Sequence, residues 1–190
     1  GKDIIYHHYL FWPAMLIGVN DNFNLPSAMP TRGFLLLEGR KFSKSRKWYI
    51  SIKRATEIFD PDYIRFYLTL ITPYSLEDTD FKLEDFKNIV NSGLSDTIGN
   101  LIHRTLTFIT KYFNSRIPQP GEYDSLDKKM ITKLRQTPTI VGKFIEEFRL
   151  KTGLEEILGL ARETNKYFNT KEPWKYVKKE REKAATTLFI

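Results

Sequence analysis

The feature of this chain that most constrains its fold is a stripe of apolar residues at helical spacing over residues 83–113. The stripe consists of Phe86, Ile89, Val90, Leu94, Ile98, Leu101, Leu106, Ile109 and Phe113. Apolar positions that recur every three or four residues lie on one face of a helix, because a helix completes a turn in about 3.6 residues. We therefore predict one long helix here, bent near Gly93 or Gly99.

Further helical stretches follow, so the C-terminal part of the chain is predicted to be a helix bundle. Residues 117–121 contain two prolines and a glycine and are predicted to be a loop. The next stretch carries apolar residues at helical spacing, with Pro138 as a predicted kink or break. These residues are Leu126, Met130, Leu134, Val141, Ile145 and Phe148. Another helix is predicted to open at residues 152–153 and to run towards Phe168, and Pro173 is predicted to start a last, highly charged one.

The first part of the chain mixes helical and strand-like patterns. The predicted elements are a helix over residues 4–16, a loop up to Pro30, a strand over residues 34–37, a basic loop over residues 39–47, and a second strand over residues 48–52. This order is typical of the remnant of an α/β unit. Asp60 and Pro61 predict the start of one more helix, which Thr72 and Pro73 are expected to end. The boundary between the two parts is therefore predicted at residues 72–80.

Composition limits the classes of protein that remain. A chain of 190 residues, 41% of them hydrophobic, can bury the core of one or two domains. The net charge of +7 favours a polyanionic partner, although many basic proteins bind none. The absence of cysteine excludes disulfides and thiolate chemistry. No apolar run approaches the roughly 20 residues that span a bilayer, and no signal peptide is recognisable, so we expect a soluble, cytoplasmic protein without a membrane partner.

The basic loop combines lysines and serines directly after an apolar run. Residues 39–47 read Gly-Arg-Lys-Phe-Ser-Lys-Ser-Arg-Lys. Ammonium groups and hydroxyls on a loop at the end of a strand can bind a triphosphate, because they can follow the phosphate charge as it shifts during displacement. The loop is therefore a candidate catalytic loop. The alternative is a solvated basic turn, since charge runs usually face water.

Four motifs in order, within 174 residues, resemble motifs of the methionyl-tRNA synthetase family. Residues 41–45 match the class I signature of that family, usually written Lys-Met-Ser-Lys-Ser. One N-terminal motif spans residues 1–14: residues 1–4 match the family's Gly-Lys-Asp-Ile segment, and residues 8–14 contain its histidine and its Trp-Pro-Ala. Residues 99–104 resemble its anticodon-reading helix, and residues 165–174 resemble its second anticodon element.

The resemblance implies a fold, which is mainly α. Residues 1–75 would be the end of a class I α/β nucleotide-binding domain, with the signature loop and a region that contacts the tRNA stem. Residues 76–190 would be an α-helix bundle that binds the anticodon. A chain that begins at Gly1, inside an active-site motif, looks like a truncated product. We therefore expect that the other class I signature, His-Ile-Gly-His, and the metal knuckles of the family are missing, and that no zinc is bound.

The resemblance also implies the roles of residues near the loop. Catalysis would fall to Lys41, Ser43, Lys44 and Ser45, ATP binding to Gly1, Asp3 and Lys44, and methionine binding to Ile4, His8 and Trp12. Asp3 would accept hydrogen bonds from the ATP ribose, unless it is an ordinary helix cap. His8 and Trp12 are four residues apart and share a helix face, where an aromatic wall suits a thioether. Trp12 could instead be plain core.

The signature departs from the family pattern at two positions. Phe42 stands in the place of the family's methionine, and its apolar side chain is expected to point into the protein. Lys47 stands where many members have glycine, which restricts the backbone and adds charge. His7 and His8 are adjacent and point apart on a helix, and with no third ligand nearby they predict no metal site.

The anticodon-binding residues implied by the resemblance are Asn100, Arg104, Asn165, Pro173 and Trp174. Asn100 and Arg104 are four residues apart, so their side chains project from one helix face and could read the edges of splayed-out bases. Trp174 could stack on a base, which contributes about 1–3 kcal/mol. The alternatives are a surface polar pair for the first two residues and a packing anchor for the tryptophan.

The sequence therefore predicts part of a class I synthetase. The parent protein would ligate methionine to tRNA(Met) through methionyl-adenylate, with ATP as substrate and Mg²⁺ bound to it, while this chain alone is expected to be inactive. Two alternatives remain. The first is a non-enzymatic tRNA-binding helical module derived from the synthetase scaffold, and the second is a structural bundle whose charge serves solubility.

Overall fold

The computed structural model describes residues 1–19 and 22–190, and most of these residues are helical. The α-helices are α1 (Trp12–Gly18), α2 (Ile52–Ile58), α3 (Pro61–Ile71), α4 (Leu83–Val90), α5 (Asn100–Tyr112), α6 (Ser125–Glu146), α7 (Leu150–Lys171), α8 (Pro173–Tyr176) and α9 (Arg181–Phe189). A 3₁₀ turn forms Lys2–Ile4, and π-helical segments form His7–Phe11 and Asn91–Gly99. The strands are β1 (Leu35–Leu37), β2 (Arg40–Lys41) and β3 (Thr79–Phe81). The predicted fold class, mainly α with a small α/β part, is confirmed.

The chain divides into two compact units. The first contains Gly1–Phe86 and Glu147–Lys151, and the second contains Lys87–Glu146 and Thr152–Ile190. The short segment Glu147–Lys151 contacts the first unit through Arg32, which donates a hydrogen bond to the carbonyl oxygen of Phe148 (2.7 Å).

The first unit contains one three-stranded sheet in the order β2-β1-β3. β1 pairs with β2 in antiparallel and with β3 in parallel orientation. The predicted strand over residues 48–52 is wrong, because β1 is already paired on both edges: Trp48 makes a single bridge to Ser43, and α2 begins at Ile52. β3 was not predicted, since three residues of mixed polarity form a strand only through this long-range pairing.

Aromatic packing extends the first unit beyond the boundary predicted at residues 72–80. The ring of Tyr67 is fully buried, and its centroid lies 5.0 Å from that of Phe81 and 5.4 Å from that of Phe86. The hydroxyl of Tyr67 donates to the carbonyl oxygen of Lys82 (3.2 Å). Strand β3 and the start of α4 therefore pack with the preceding residues, because their aromatic side chains share one core.

The second unit is made of helices. The predicted long helix, whose first residues up to Phe86 belong to the first unit, is confirmed over residues 83–112, where α4, the second π-helical segment and α5 follow one another without interruption. Of the kink or break predicted at Pro138, the break is wrong, because α6 continues through this residue. Met130, Thr137 and Val141 are buried on either side of that proline, and this packing outweighs the lost backbone hydrogen bond.

The next helix begins two residues before its predicted start at residues 152–153: α7 begins at Leu150, and Gly153 lies inside it. A Cβ atom at Gly153 would lie 3.6 Å from Phe144 Cβ and 3.7 Å from Val141 Cγ1, so this glycine is a close packing position between α6 and α7. Of the loop predicted up to Pro30, residues 17 and 18 still belong to α1, residues 20 and 21 lie outside the described residues, and residues 22–30 are irregular.

Candidate functional site

The first helical segment and the loop that follows it enclose a cavity of about 360 Å³. Its lining residues are Gly1, Ile4, Ile5, His8, Tyr9, Trp12, Met29, Pro30, Thr31 and Arg32. The hydroxyl of Tyr9 donates to the carbonyl oxygen of Met29, and that of Thr31 donates to the Tyr9 oxygen (3.3 Å). These hydrogen bonds hold the loop against the helix and so form the cavity.

Three residues singled out from the sequence, Ile4, His8 and Trp12, line this cavity together. Nδ1 of His8 lies 3.0 Å from the carbonyl oxygen of Ile4. Since a carbonyl oxygen only accepts, Nδ1 carries the proton, and Nε2 is left to interact with a ligand. Trp12 is 47% exposed, so it is not part of a packed core within the described part of this chain.

The ring of Phe34 brings the first residues of the chain close to the basic loop. Nζ of Lys41 lies 4.3 Å from the ring centroid, and Nζ of Lys2 lies 5.2 Å from it. Lys2 also forms an ion pair with Asp78 (2.6 Å), whose carboxylate accepts a hydrogen bond from the backbone N–H of Phe34 (2.8 Å). The Lys2 hydrogen bond and then this N–H lower the pKa of Asp78. Asp3 lies inside the 3₁₀ turn, whose N-cap is Gly1, so Asp3 is not its cap.

The basic loop is a short hairpin with a tight turn at its tip. Ser43 and Trp48 exchange two backbone hydrogen bonds of 2.9 Å. The backbone N–H of Lys47 donates to the carbonyl oxygen of Lys44 (3.1 Å) and closes the turn. The hydroxyl oxygens of Ser43 and Ser45 lie 3.2 Å apart. The serines and Lys44 therefore lie on one turn, with Lys41 at the base of the hairpin.

The two departures from the family signature have structural consequences. Phe42 lies between strand β2 and the turn and is 39% exposed, so it is not buried in the described part of the chain, contrary to the expectation that its side chain points into the protein. Lys47 has φ +53°, the left-handed region that favours glycine. The turn therefore forms with lysine at this position, at a cost in backbone strain.

In the second unit, α5 and the end of α7 bring together a cluster of aromatic rings and one guanidinium group. Cζ of Arg104 lies 4.6 Å from the ring centroid of Phe168 and 5.9 Å from that of Trp174. A guanidinium N–H of Arg104 donates to Oδ1 of Asn169 (2.8 Å). Trp174 is 41% exposed, whereas Pro173 is fully buried. Arg104 and Trp174, far apart in sequence, thus share one surface.

The two asparagines implied by the resemblance lie in different surroundings. Asn165 donates from Nδ2 to the carbonyl oxygens of Thr97 (2.9 Å) and Ala161 (3.1 Å). Its Oδ1 is buried and accepts no hydrogen bond from the described residues. Asn100 instead lines a shallow cavity of about 460 Å³ beside His103. The structure therefore groups Arg104 with Trp174 but places these asparagines outside that cluster.

Sequence reasoning did not find Asn169 and Phe168 as members of the Arg104 cluster. One signal was available for the first: Asn169 follows Asn165 by four residues and so lies on the same face of α7. Nothing in the spacing indicates that this face meets α5, because that contact depends on how the helices pack.

Within residues 1–19 and 22–190, which the structure describes, no helix is both long enough and apolar enough to span a membrane. In the same ranges, no three His, Cys, Asp or Glu side chains are grouped so that they could hold a metal ion.

The first unit thus provides a basic hairpin loop and a cavity lined by Trp12, and the second unit is helical. The family model described as tRNA synthetases class I (M) matches residues 1–106, so the chain belongs to this family.

Proteins similar to this chain include methionine–tRNA ligases, which are also called methionyl-tRNA synthetases. The methionine–tRNA ligase of Methanosphaera stadtmanae is 45% identical over 190 residues, which cover 100% of this chain and 28% of the relative. That of Pyrococcus furiosus is 40% identical over 198 residues, covering 100% of this chain and 27% of the relative. The chain thus spans less than a third of these relatives. A crystal structure of Mycobacterium tuberculosis methionyl-tRNA synthetase bound by methionyl-adenylate has a TM-score of 0.91 and 29% identity, covering 99% of this chain and 37% of that one. The predicted resemblance to methionyl-tRNA synthetases is confirmed.

Proposed function

We propose that this chain is part of a methionine–tRNA ligase and supplies that enzyme's signature loop and its anticodon-binding helices. The observation that carries the proposal is the similarity, over 99% of the chain and with a TM-score of 0.91, to a synthetase bound by methionyl-adenylate. The proposed reaction joins methionine to ATP, gives methionyl-adenylate and pyrophosphate, and then transfers the methionyl group to tRNA(Met).

We assign methionine binding to the cavity lined by Ile4, His8 and Trp12. A thioether offers almost no hydrogen bonding, so dispersion and contact with aromatic rings must supply most of its recognition. The cavity offers an indole and an aliphatic side chain for this purpose. Nε2 of His8, left available because Nδ1 bonds to the backbone, supplies one polar group.

We assign ATP binding to Gly1, Asp3 and Lys44. A carboxylate such as that of Asp3 can accept hydrogen bonds from both ribose hydroxyls. Gly1 lies beside it: a Cβ atom there would lie 3.1 Å from Oδ1 of Asp3, so a larger residue would crowd the carboxylate. Mg²⁺ would arrive with the triphosphate, and we assign no protein ligand to it.

The proposed catalytic groups are Lys41, Ser43, Lys44 and Ser45. An oxygen of the methionine carboxylate attacks the α-phosphorus, and the bond from that phosphorus to the bridging oxygen of pyrophosphate breaks. Negative charge grows on the leaving pyrophosphate, where the ammonium group of Lys44 stabilises it. Lys41 and the two hydroxyls position the phosphates, because a fixed geometry lowers the entropic part of the barrier.

The proposed anticodon-binding residues are Asn100, Arg104, Asn165, Pro173 and Trp174. Trp174 is exposed enough to stack on a base, and Arg104 beside it presents hydrogen-bond donors to base edges. Oδ1 of Asn165, which accepts no hydrogen bond from the described part of the chain, is an acceptor available for a base. Pro173 fixes the backbone that carries Trp174.

The experiment that tests the proposal is binding of this chain, at fixed moderate salt, to tRNA with the methionine anticodon CAU and to the same tRNA with a changed anticodon. We expect a loss of at least tenfold in affinity on the change, which corresponds to about 1.4 kcal/mol. Equal affinities would contradict the proposal. Methionine-dependent exchange of pyrophosphate into ATP, measured in the complete ligase of which we propose this chain is part, tests the catalytic part. Discrimination without exchange would instead support a non-enzymatic tRNA-binding module.

A further inference from the structure

A buried carboxylate in the second unit has no place in the proposed function. The side chain of Asp127, in the first turn of α6, is 1% exposed. Its Oδ1 accepts a hydrogen bond from the hydroxyl of Tyr167 (2.7 Å) and lies 2.7 Å from Nζ of Lys171. Its Oδ2 accepts from the backbone N–H of Asp124 (3.0 Å). Both oxygens are therefore engaged, and the charge is neutralised by a single lysine.

That lysine belongs to a wider group of charges. Nζ of Lys171 also lies 2.9 Å from Oδ2 of Asp124, and its side chain is largely buried. Burial alone would lower the pKa of Lys171, but the hydrogen bonds to Asp124 and Asp127 raise it above its ordinary value. The ammonium group therefore stays charged and fixed between two carboxylates. Asp124 directly precedes α6, and Asp127 lies in its first turn.

Lys171 is also the last residue of α7, three positions before Trp174. Glu172 follows with φ +42° and turns the chain through the left-handed region, and Pro173 is then fully buried. The last turn of α7 thus has two contacts. Tyr167 and Lys171 bind the buried carboxylate, while Phe168 lies against Arg104 and, at 6.2 Å between ring centroids, against Trp174.

We propose that the buried ion pair of Asp127 and Lys171 positions Trp174 for anticodon recognition, and that both are positioning residues rather than groups that touch RNA. The proposal rests on the proposed function for the role of Trp174. A buried ion pair is a weak source of net stability, since apolar residues of similar size often replace it without loss. The ion pair matters more for position than for stability, because it fixes the end of α7 at one point next to the strained turn at Glu172.

The experiment measures two quantities separately: the ¹⁹F resonance of Trp174, which reports its surroundings, and the anticodon preference of the chain. Protein labelled with 5-fluorotryptophan gives three ¹⁹F resonances, because the chain has 3 tryptophans, and loss of a signal in Trp174→Phe assigns that of Trp174. In Lys171→Met we expect the Trp174 resonance to shift or broaden while those of Trp12 and Trp48 do not. The preference for tRNA with the CAU anticodon should fall from tenfold or more to about twofold.

Two further variants distinguish positioning from general structural damage. Lys171→Arg keeps the charge and should restore both the resonance and most of the preference. Lys183→Met removes a lysine from an exposed ion pair with Glu180 and should change neither. If Lys171→Met alone fails to fold, the double variant Asp127→Leu with Lys171→Met leaves no unpaired buried charge, and it should show the same loss of preference.

The proposal is overturned if a folded Lys171→Met or double variant keeps both the Trp174 resonance and the anticodon preference of the unmodified chain. It is also overturned if Lys183→Met changes them as much as Lys171→Met does. If the unmodified chain shows no anticodon preference, the proposed function fails. The ¹⁹F resonance then still decides whether the ion pair positions Trp174.

Discussion

At the scale of single residues, the hairpin that carries the signature loop depends on backbone conformations that most residues avoid. Glu38 and Gly39 form its first turn with φ +49° and +73°. A side chain in this region costs about 1–2 kcal/mol. Glu38 offsets the cost with its carboxylate, which accepts a hydrogen bond from the backbone N–H of Leu83 (2.8 Å) at the start of α4. The strained residue is thus also a helix cap.

Glu38→Ala should therefore lower the free energy of unfolding by about 1 kcal/mol, because it keeps the strained backbone and removes the cap. Glu38→Gln keeps an acceptor oxygen and should lose only a few tenths of a kcal/mol. Urea denaturation followed by circular dichroism measures both. Equal losses in the two variants would show that the contact to Leu83 does not support the turn.

The proposed catalytic lysine can be tested against a neighbour on the same hairpin. In the complete methionine–tRNA ligase of which we propose this chain is part, Lys44→Ala should lower kcat of methionine-dependent pyrophosphate exchange by about 10²–10³, because one stabilising group of the leaving pyrophosphate is lost. Lys47→Ala removes an equal charge and should change the rate by less than about threefold, since an exposed charge is screened. A similar loss in both would indicate a nonspecific effect of loop charge.

The lowered pKa of Asp124 predicts how the free energy of unfolding depends on pH. Its hydrogen bond from Lys171, followed by that from the backbone N–H of Asp127, lowers its pKa to about 2. A carboxyl whose pKa is lower in the folded state stabilises the protein above its unfolded pKa, near 3.8, and loses this contribution as the pH falls towards 2. Asp124→Asn should therefore be less stable than the unmodified chain at pH 6, and the difference should shrink between about pH 4 and 2. A pH-independent difference would contradict the assignment.

At the scale of elements, periodic patterns were predictable and long-range pairings were not. The helix over residues 83–112 follows directly from its apolar stripe, whereas strand β3, Thr79–Phe81, exists because β1 pairs with it. Pro138 stays helical because buried neighbours hold it, which local propensity does not include. The same limit applies to the site: spacing placed His8 and Trp12 on one face, but the contact of Arg104 with Phe168 depends on packing between two distant helices.

The parallel pairing of β1 and β3 depends on one glycine before the strand. A Cβ atom at Gly33 would lie 2.0 Å from the carbonyl oxygen of Glu77, which is backbone and cannot rotate away. Gly33→Ala should therefore lower the free energy of unfolding by about 3 kcal/mol, the upper end of the usual cost of overpacking. Gly142→Ala is the matched control, because a Cβ there meets nothing within 4 Å, and in helix α6 it should stabilise by about 0.5–1 kcal/mol. If urea denaturation gives the same sign for both, the close approach at Glu77 is not limiting.

At the scale of the whole molecule, the first helical segment and helix α7 differ in how much of their apolar surface is covered. None of the residues of the 3₁₀ turn, the first π-helical segment or α1 is buried. Tyr6 is 69% exposed and Met15 is 68% exposed. By contrast, α7 buries Leu158, Tyr167 and Phe168. Contiguous exposed apolar surface of this kind is typical of an interaction surface, and a helix without buried contacts has little to oppose its local opening.

This contrast predicts that the backbone amides of residues 5–16 exchange with solvent much faster than those of α7 in dilute solution, because the first segment opens locally while α7 opens only with its unit. Hydrogen exchange followed by mass spectrometry measures both segments in one sample, so α7 is the internal control. Raising the protein concentration should slow exchange in residues 5–16 selectively if a second copy covers their apolar side chains, and should leave it unchanged otherwise. Slow exchange of this segment in dilute monomer would contradict the prediction, because it would require that contacts within this chain hold the segment closed.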